Sequence, residues 1–356
     1  ITGTDRSATT GNGPDQSAIN IYTGAMAGPL VESENPLAEN PNSISYQWNV
    51  YAQNQTALFK DKVVLTLGLG YMQEHLDRDY SRTAASRPDN LGDVLATRYG
   101  KPTPNAALLY NLDKDLGFYA SYSTNYALPS GDLEDRNGET GNFDPEDGVN
   151  YEVGAKYDIP SMAASLTGAW FWTEMRNELI QTTGNDRNSR GNNYYIQVDE
   201  QGRRSTGVEF SAEIEPLKNL RLTGGGAFID VVNRSVDDEV ADGGRGDKVP
   251  EWSFNAFSRY DIGGGTFQGL GASLGFIYQG DRLAALRTES RPVPLVMPWF
   301  TRVDAGLYYR VNNNLDFALN VENLANDKRI VYGGSTGASI ELGSPRRATF
   351  RTSYRM

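Results

Sequence analysis

The sequence predicts an all-β chain, an antiparallel transmembrane β-barrel of which about 14 strands are present. The first observation is strict alternation. In Val303-Asp304-Ala305-Gly306-Leu307-Tyr308-Tyr309-Arg310 the odd positions are apolar or aromatic, and the even ones include Asp304, Gly306 and Arg310. After the Asn-rich turn Val311–Asn314 the alternation resumes, with Leu315, Phe317, Leu319 and Val321 on one face and Asp316, Ala318, Asn320 and Glu322 on the other. Period-two patterning on both sides of a tight turn makes an antiparallel hairpin. The second observation is that short turns and long loops alternate along the chain, as in barrels with tight periplasmic turns and long extracellular loops. The third is composition. Hydrophobic residues make up 38% of the 356, and no run approaches the roughly 18 apolar residues of a membrane helix. A transmembrane strand needs only about 9–11 residues, every second one apolar. The 20 Tyr, 13 Phe, 5 Trp and 38 Gly suit such strands, because aromatics gather at the interfaces and Gly relieves crowding.

Taken in order, residues 1–45 are rich in Gly, Asn, Pro and Ser and read as a short strand near Ile1–Ala8 followed by a long loop. Strand Ser45–Leu58 turns at Phe59–Lys62 into a strand carrying Val63, Leu65, Leu67, Leu69 and Tyr71 on one face, and the polar segment Leu76–Pro102 follows. Thr103–Asn111 turns at Leu112–Asp115 into Leu116–Tyr126, and Ala127–Gly148 is an acidic loop. In Val149–Tyr157 the apolar odd positions point outward and Asn150, Glu152, Gly154 and Lys156 inward. A turn at Ile159-Pro160-Ser161 leads to Ala163–Gln181 and the loop Thr182–Asn193. The next strand, ending Thr206, Val208, Phe210, Ala212 and Ile214, turns at Pro216–Asn219 into Leu220–Val232. Loop Asn233–Lys248, strand Val249–Ile262, turn Gly263–Gly265, strand Thr266–Asp281 and loop Arg282–Pro298 precede the hairpin. Loop Asp327–Leu342 and a final alternating strand, Ala348–Met356, complete the series. A soluble β-sandwich or propeller also has many short strands, but its connections do not alternate short and long, and no blade-length repeat is visible.

With no cysteine, disulfide scaffolds, thiolate metal sites and cysteine nucleophiles are excluded. A net charge of -12 argues against a nucleic-acid partner, which needs a basic face. The start, Ile1-Thr2-Gly3-Thr4-Asp5-Arg6, lacks the basic and apolar regions of a signal peptide.

Several segments, in this order and spacing, resemble the C-terminal barrel of TonB-dependent outer-membrane receptors of the ferric-siderophore branch. They are Tyr119–Ser123 with Pro129, Asp144-Pro145-Glu146 followed by Asn150–Lys156, Arg204–Phe210, Lys248-Val249-Pro250, Val303-Asp304-Ala305, Asn320–Leu324 and Gly343–Arg347. The resemblance implies an outer-membrane active transporter, not an enzyme, that binds a ferric siderophore outside and is energised through the TonB–ExbB–ExbD system. Lipid and lipopolysaccharide would surround it. It also implies a barrel of roughly 22 strands with an N-terminal plug. On that expectation residues 1–356 are the C-terminal portion of the barrel, with the plug, the TonB box and the first strands missing, and Ala348–Met356 has a free edge. The runner-up within the class is vitamin B12 or glycan uptake, and a passive porin shares the barrel.

Arg282, Arg287 and Arg291 with Trp299, and Tyr194 with Tyr195, are the ligand candidates in the extracellular loops, since arginines attract an anionic iron chelate and aromatics offer flat apolar contact. Iron arrives already chelated, so neither a cofactor nor a protein metal site is expected. Three other features fit structural roles. His75 would be a catalytic base only with a placed nucleophile beside it. The acidic loops Asp132–Asp147 and Asp237–Asp247 lack a recognised cation-ligand spacing. Glu152, Glu209 and Glu322 line the inner face, where Lys156, Arg310, Arg351 and Arg355 are available to pair with them.

Overall fold

The structure is a computed structural model that describes residues 42–79, 94–127, 133–138, 143–181, 188–189, 191, 194–198, 202–233, 244–246, 248–285, 295–333 and 340–355. The strand expected near Ile1–Ala8 lies outside them. Twenty strands are described: β1 Asn42–Leu58, β2 Val63–Asp79, β3 Val94–Asn111, β4 Leu116–Ala127, β5 Glu146–Ile159, β6 Ala164–Arg176, β7 Glu178–Gln181, β8 Tyr195–Val198, β9 Arg203–Leu217, β10 Leu220–Asn233, β11 Gly244–Arg245, β12 Trp252–Asp261, β13 Leu270–Gln279, β14 Arg282–Ala285, β15 Leu295–Met297, β16 Phe300–Arg310, β17 Leu315–Glu322, β18 Ile330–Gly333, β19 Ile340–Leu342 and β20 Arg347–Tyr354. One 14-stranded sheet runs β1-β2-β3-β4-β5-β6-β9-β10-β12-β13-β16-β17-β20, with the two-residue β11 beside β10. Among the described residues its ends are β1 and β20, and β20 pairs only with β17, as expected for a free edge. The remaining strands form three small hairpins, β7-β8, β14-β15 and β18-β19, each inside a long loop.

Two compact units divide the chain: Ile1–Trp48 with Gln73–Gly100, and Asn49–Met72 with Lys101–Met356. In the larger one the expected facing holds. Val153 and Phe210 are 48% and 53% exposed, as a lipid-facing surface must be before lipid covers it. Register carries this outer face from strand to strand, through Val153↔Trp170, Trp170↔Val208 and Val208↔Phe228. An aromatic row lies on it: Tyr122 meets Tyr151 at 5.2 Å, Tyr151 meets Trp172 at 5.6 Å, and Phe228 meets Trp252 at 4.6 Å. Rings that are apolar in body and polar at the edge settle where hydrocarbon gives way to water.

Side chains of the opposite face interlock instead. Tyr119 donates to Glu152, and Lys156 sits 5.5 Å from the Tyr119 ring centre. That ring lies over Gly154, where a Cβ would come within 2.6 Å of it, so the absence of a side chain makes room for the tyrosine. Arg259 stacks 4.1 Å from the centre of Tyr308, whose hydroxyl bonds Ser273 and Asn320. The ion-pair partners expected for the inner glutamates are corrected here: Glu322 pairs with Arg347 at 2.8 Å, and Glu152 takes a phenol rather than a cation. Register decides this, because Arg347 stands directly opposite Glu322.

The short turns are chemically explicit. Asp113 Oδ1 accepts from the backbone N–H of Asp115 and Leu116, both at 2.8 Å, and Asn312 Oδ1 does the same for Asn314 and Leu315. These side-chain turns reverse the chain in four residues. In the β1–β2 turn Phe59, Lys60 and Asp61 take the left-handed conformation, with φ of 54°, 58° and 65°. Several strands exceed their expected lengths. β2 continues through His75 to Asp79, and β3 begins at Val94 rather than Thr103.

Candidate extracellular site

Opposite the short turns, four of the long loops dock in two pairs among the described residues. In the first pair, the β4–β5 loop packs on the β6–β9 loop that carries β7 and β8. Gln197 makes the join: its Nε2 donates to the carbonyls of Asp144 (2.7 Å) and Asn177 (3.0 Å), and its Oε1 accepts from the Asp144 N–H at 2.9 Å. Buried Asn188 donates to buried Glu134 at 2.7 Å, and the Glu134 carbonyl accepts from the Tyr195 N–H at 2.7 Å. Glu146 accepts from the Leu179 N–H, and Asp147 pairs with Lys101. The carboxylates of Glu134, Glu146 and Asp147 thus hold neighbouring segments, and no metal-holding group of acidic side chains occurs among the described residues. Apart from residues 244–246, the second acidic loop, Asp237–Asp247, lies outside them.

The second pair joins the β13–β16 loop, carrying β14 and β15, to the β17–β20 loop, carrying β18 and β19. Asn323, fully buried, anchors the latter: its N–H donates to Asp304 Oδ1 at 2.8 Å, and its Nδ2 to the carbonyls of Asp327 and Ser344. Asp304 is itself held by Arg302 at 2.8 Å. Above this knot Arg282 donates from Nη2 to the Val331 carbonyl at 2.6 Å, linking the two loops. Burial lowers the Arg282 pKa.

The sequence-derived ligand candidates are dispersed over these loops. Arg282 is 4% exposed and Tyr194 2%, with Tyr195 half-buried in β8. Trp299, largely exposed, lies 6.3 Å from Tyr278 and extends the outer aromatic row, away from the inner-facing position of Phe300 against which Arg282 packs. Arg287 and Arg291 lie outside the described residues. Sequence reasoning missed Arg329, Gln197, Asn188 and Asn323 as loop organisers. Only Asn323 carried a signal, as part of Asn320–Leu324.

His75, in the smaller unit, has both ring nitrogens engaged: Nδ1 accepts from Arg98 at 2.9 Å, and Nε2 lies 2.9 Å from Asp77. Tyr46 lies against the ring at 6.5 Å, so the imidazole is a clasp between strands.

A continuous antiparallel meander with an apolar outside, a polar inside, tight turns at one end and docked loops at the other defines an outer-membrane β-barrel. The chain belongs to the family described as TonB dependent receptor-like, beta-barrel, which it matches over residues 3–324. It is 28% identical over 247 residues to the metal-pseudopaline receptor CntO of Pseudomonas aeruginosa, covering 69% of this chain and 32% of that protein. To the catecholate siderophore receptor Fiu of Escherichia coli K12 it is 27% identical over 250 residues, covering 68% and 31%. The chain therefore spans about a third of the length of these relatives. Among solved structures, the closed form of Fiu from E. coli K12 superposes with a TM-score of 0.69 at 21% identity, covering 88% of this chain and 45% of that one. The pyoverdine outer membrane receptor FpvA of P. aeruginosa PAO1, bound to pyoverdine, gives 0.73 at 17%, covering 90% and 43%. At these identities the superpositions establish the fold.

Proposed function

We propose that this protein is the barrel part of an outer-membrane receptor that takes up ferric-siderophore complexes, energised through the TonB–ExbB–ExbD system. The observation that carries this is the agreement of the family match over residues 3–324 with relatives named as siderophore or metallophore receptors in four bacteria, including PiuA of Acinetobacter baumannii and the ferrioxamine B receptor of Salmonella typhimurium. The fold supplies a wall with a polar inner face, and the docked loops supply arginines and aromatics at its mouth. Iron enters as a chelate carried by its own ligand, so the protein needs no cofactor, and transport needs neither a nucleophile nor a general base. Arg287, Arg291 and the half-buried Tyr195 remain the proposed ligand contacts, whereas Arg282 and Tyr194 are packed within the loops and Trp299 lies on the outer aromatic row. The test is growth of an iron-starved strain lacking its own receptors and complemented with the full-length gene. Rescue by a single ferric siderophore, abolished without TonB, is expected. Rescue only by vitamin B12 or a glycan, or TonB-independent conductance in a planar bilayer, would overturn the proposal.

A further inference from the structure

Most partly buried arginines of the sheet and loops have a carboxylate. Arg245 has Asp281 and Glu251, Arg259 has Asp261, and Arg302 has Asp304. Arg282, opening β14, and Arg329, just before β18, are different. They are the buried cations of the second loop pair, at 4% and 9% exposure, and both lie against one ring: their guanidinium carbons are 5.9 Å and 5.4 Å from the centre of Phe300. Nη1 of each is buried and has no hydrogen-bond partner, and among the described residues neither arginine forms an ion pair.

A guanidinium cannot shed its charge inside a protein, so burial has to be compensated by partners. The Phe300 face interacts with the cation as a whole but gives the Nη1–H groups no acceptor. Two positive charges against one ring also repel each other. An anion that reaches both Nη1 groups resolves all three problems. A doubly charged tetrahedral oxyanion does so best, because it offers acceptors in several planes and cancels both charges.

We propose that Arg282 and Arg329 form a binding site for a phosphate-class oxyanion beside Phe300, and that the bound anion ties the loop carrying β14 and β15 to the loop carrying β18 and β19. The proposal concerns loop architecture and is independent of the cargo. Free phosphate and the phosphate groups of surrounding lipids share the required chemistry.

The experiment uses the full-length receptor purified in detergent. Sodium phosphate is titrated by calorimetry against sodium chloride at matched ionic strength, and native mass spectrometry records any phosphorylated lipid retained from the membrane. Saturable phosphate binding at one site is expected, weakened at least about tenfold by Arg282→Gln or Arg329→Gln, as loss of a charge-assisted hydrogen bond requires. Arg302→Gln, which removes a cation already paired, should leave it unchanged. If lipid occupies the site, a retained phosphorylated lipid that disappears from the Arg282→Gln/Arg329→Gln variant identifies that source and supports the proposal. Should the Gln variants fail to fold, Arg282→Lys and Arg329→Met take their place. Neither phosphate binding nor retained lipid in the wild-type protein would overturn the proposal, as would binding equal in wild type and variants. An Arg329→Met protein more stable than wild type in phosphate would overturn it too, since the cation would then need no anion.

Discussion

At the scale of single residues, facing decides what a substitution costs. Val153 and Glu152 are neighbours in β5 but belong to different solvents: one meets lipid, the other accepts the Tyr119 hydroxyl. Val153→Arg is expected to destabilise the folded receptor by roughly 2–4 kcal/mol, the cost of a cation near the bilayer midplane. Glu152→Gln keeps an acceptor for Tyr119 and should cost little. Urea unfolding in lipid vesicles measures both, and equal losses would show that the faces are assigned wrongly. This facing was readable from alternation alone, because a period of two leaves only two possible registers and just one puts Glu152, Glu209 and Lys156 away from lipid. The close approach of Tyr119 to Gly154 was not readable, since it depends on which residues stand opposite each other across two strands.

Between elements, the loops are organised by side chains that reach another loop's backbone. Gln197 satisfies three backbone groups of two separate segments, so Gln197→Ala strands them together. The expected result is a loss of about 1–3 kcal/mol confined to the β4–β5 and β6–β9 loops. Limited proteolysis of intact cells should then nick these loops faster while the thermal transition of the barrel stays in place; a lowered barrel transition with unchanged nicking would refute the local role. The hairpins β7-β8, β14-β15 and β18-β19 were invisible in the sequence for the same reason. Strands of three or four residues carry too little alternation to register, and their stability comes from partners distant in the chain. The extensions of β2 and β3 were missed differently: beyond the hydrocarbon, ladder hydrogen bonds persist without an apolar face, so the periodic signal fades before the strand ends. Of the candidate site, Arg282 was found from its residue type, whereas Arg329 emerges only once two loops meet.

For the molecule as a whole, the two ends of the sheet, β1 and β20, carry the strictest requirement. Within hydrocarbon an unpaired edge leaves backbone donors and acceptors without water, at several kcal/mol per group, so β1 and β20 must each find a neighbour. If residues 1–356 expressed alone with a secretion signal give no heat-modifiable, membrane-inserted form, their partners lie in other strands. A heat-modifiable form would mean that β1 and β20 pair with each other.

The path of the main sheet visits its long strands in the order in which they are translated. Among the described residues no strand of the main sheet waits for a distant segment to slide in beside it, and the long connections leave from the end opposite the short turns. A chain of this kind can be laid down like courses of brick, each hairpin set against the last, and the outward-reaching loops can be lengthened, shortened or exchanged without disturbing the courses below. Natural variation in such a protein would therefore gather at the mouth, while the wall keeps its plan.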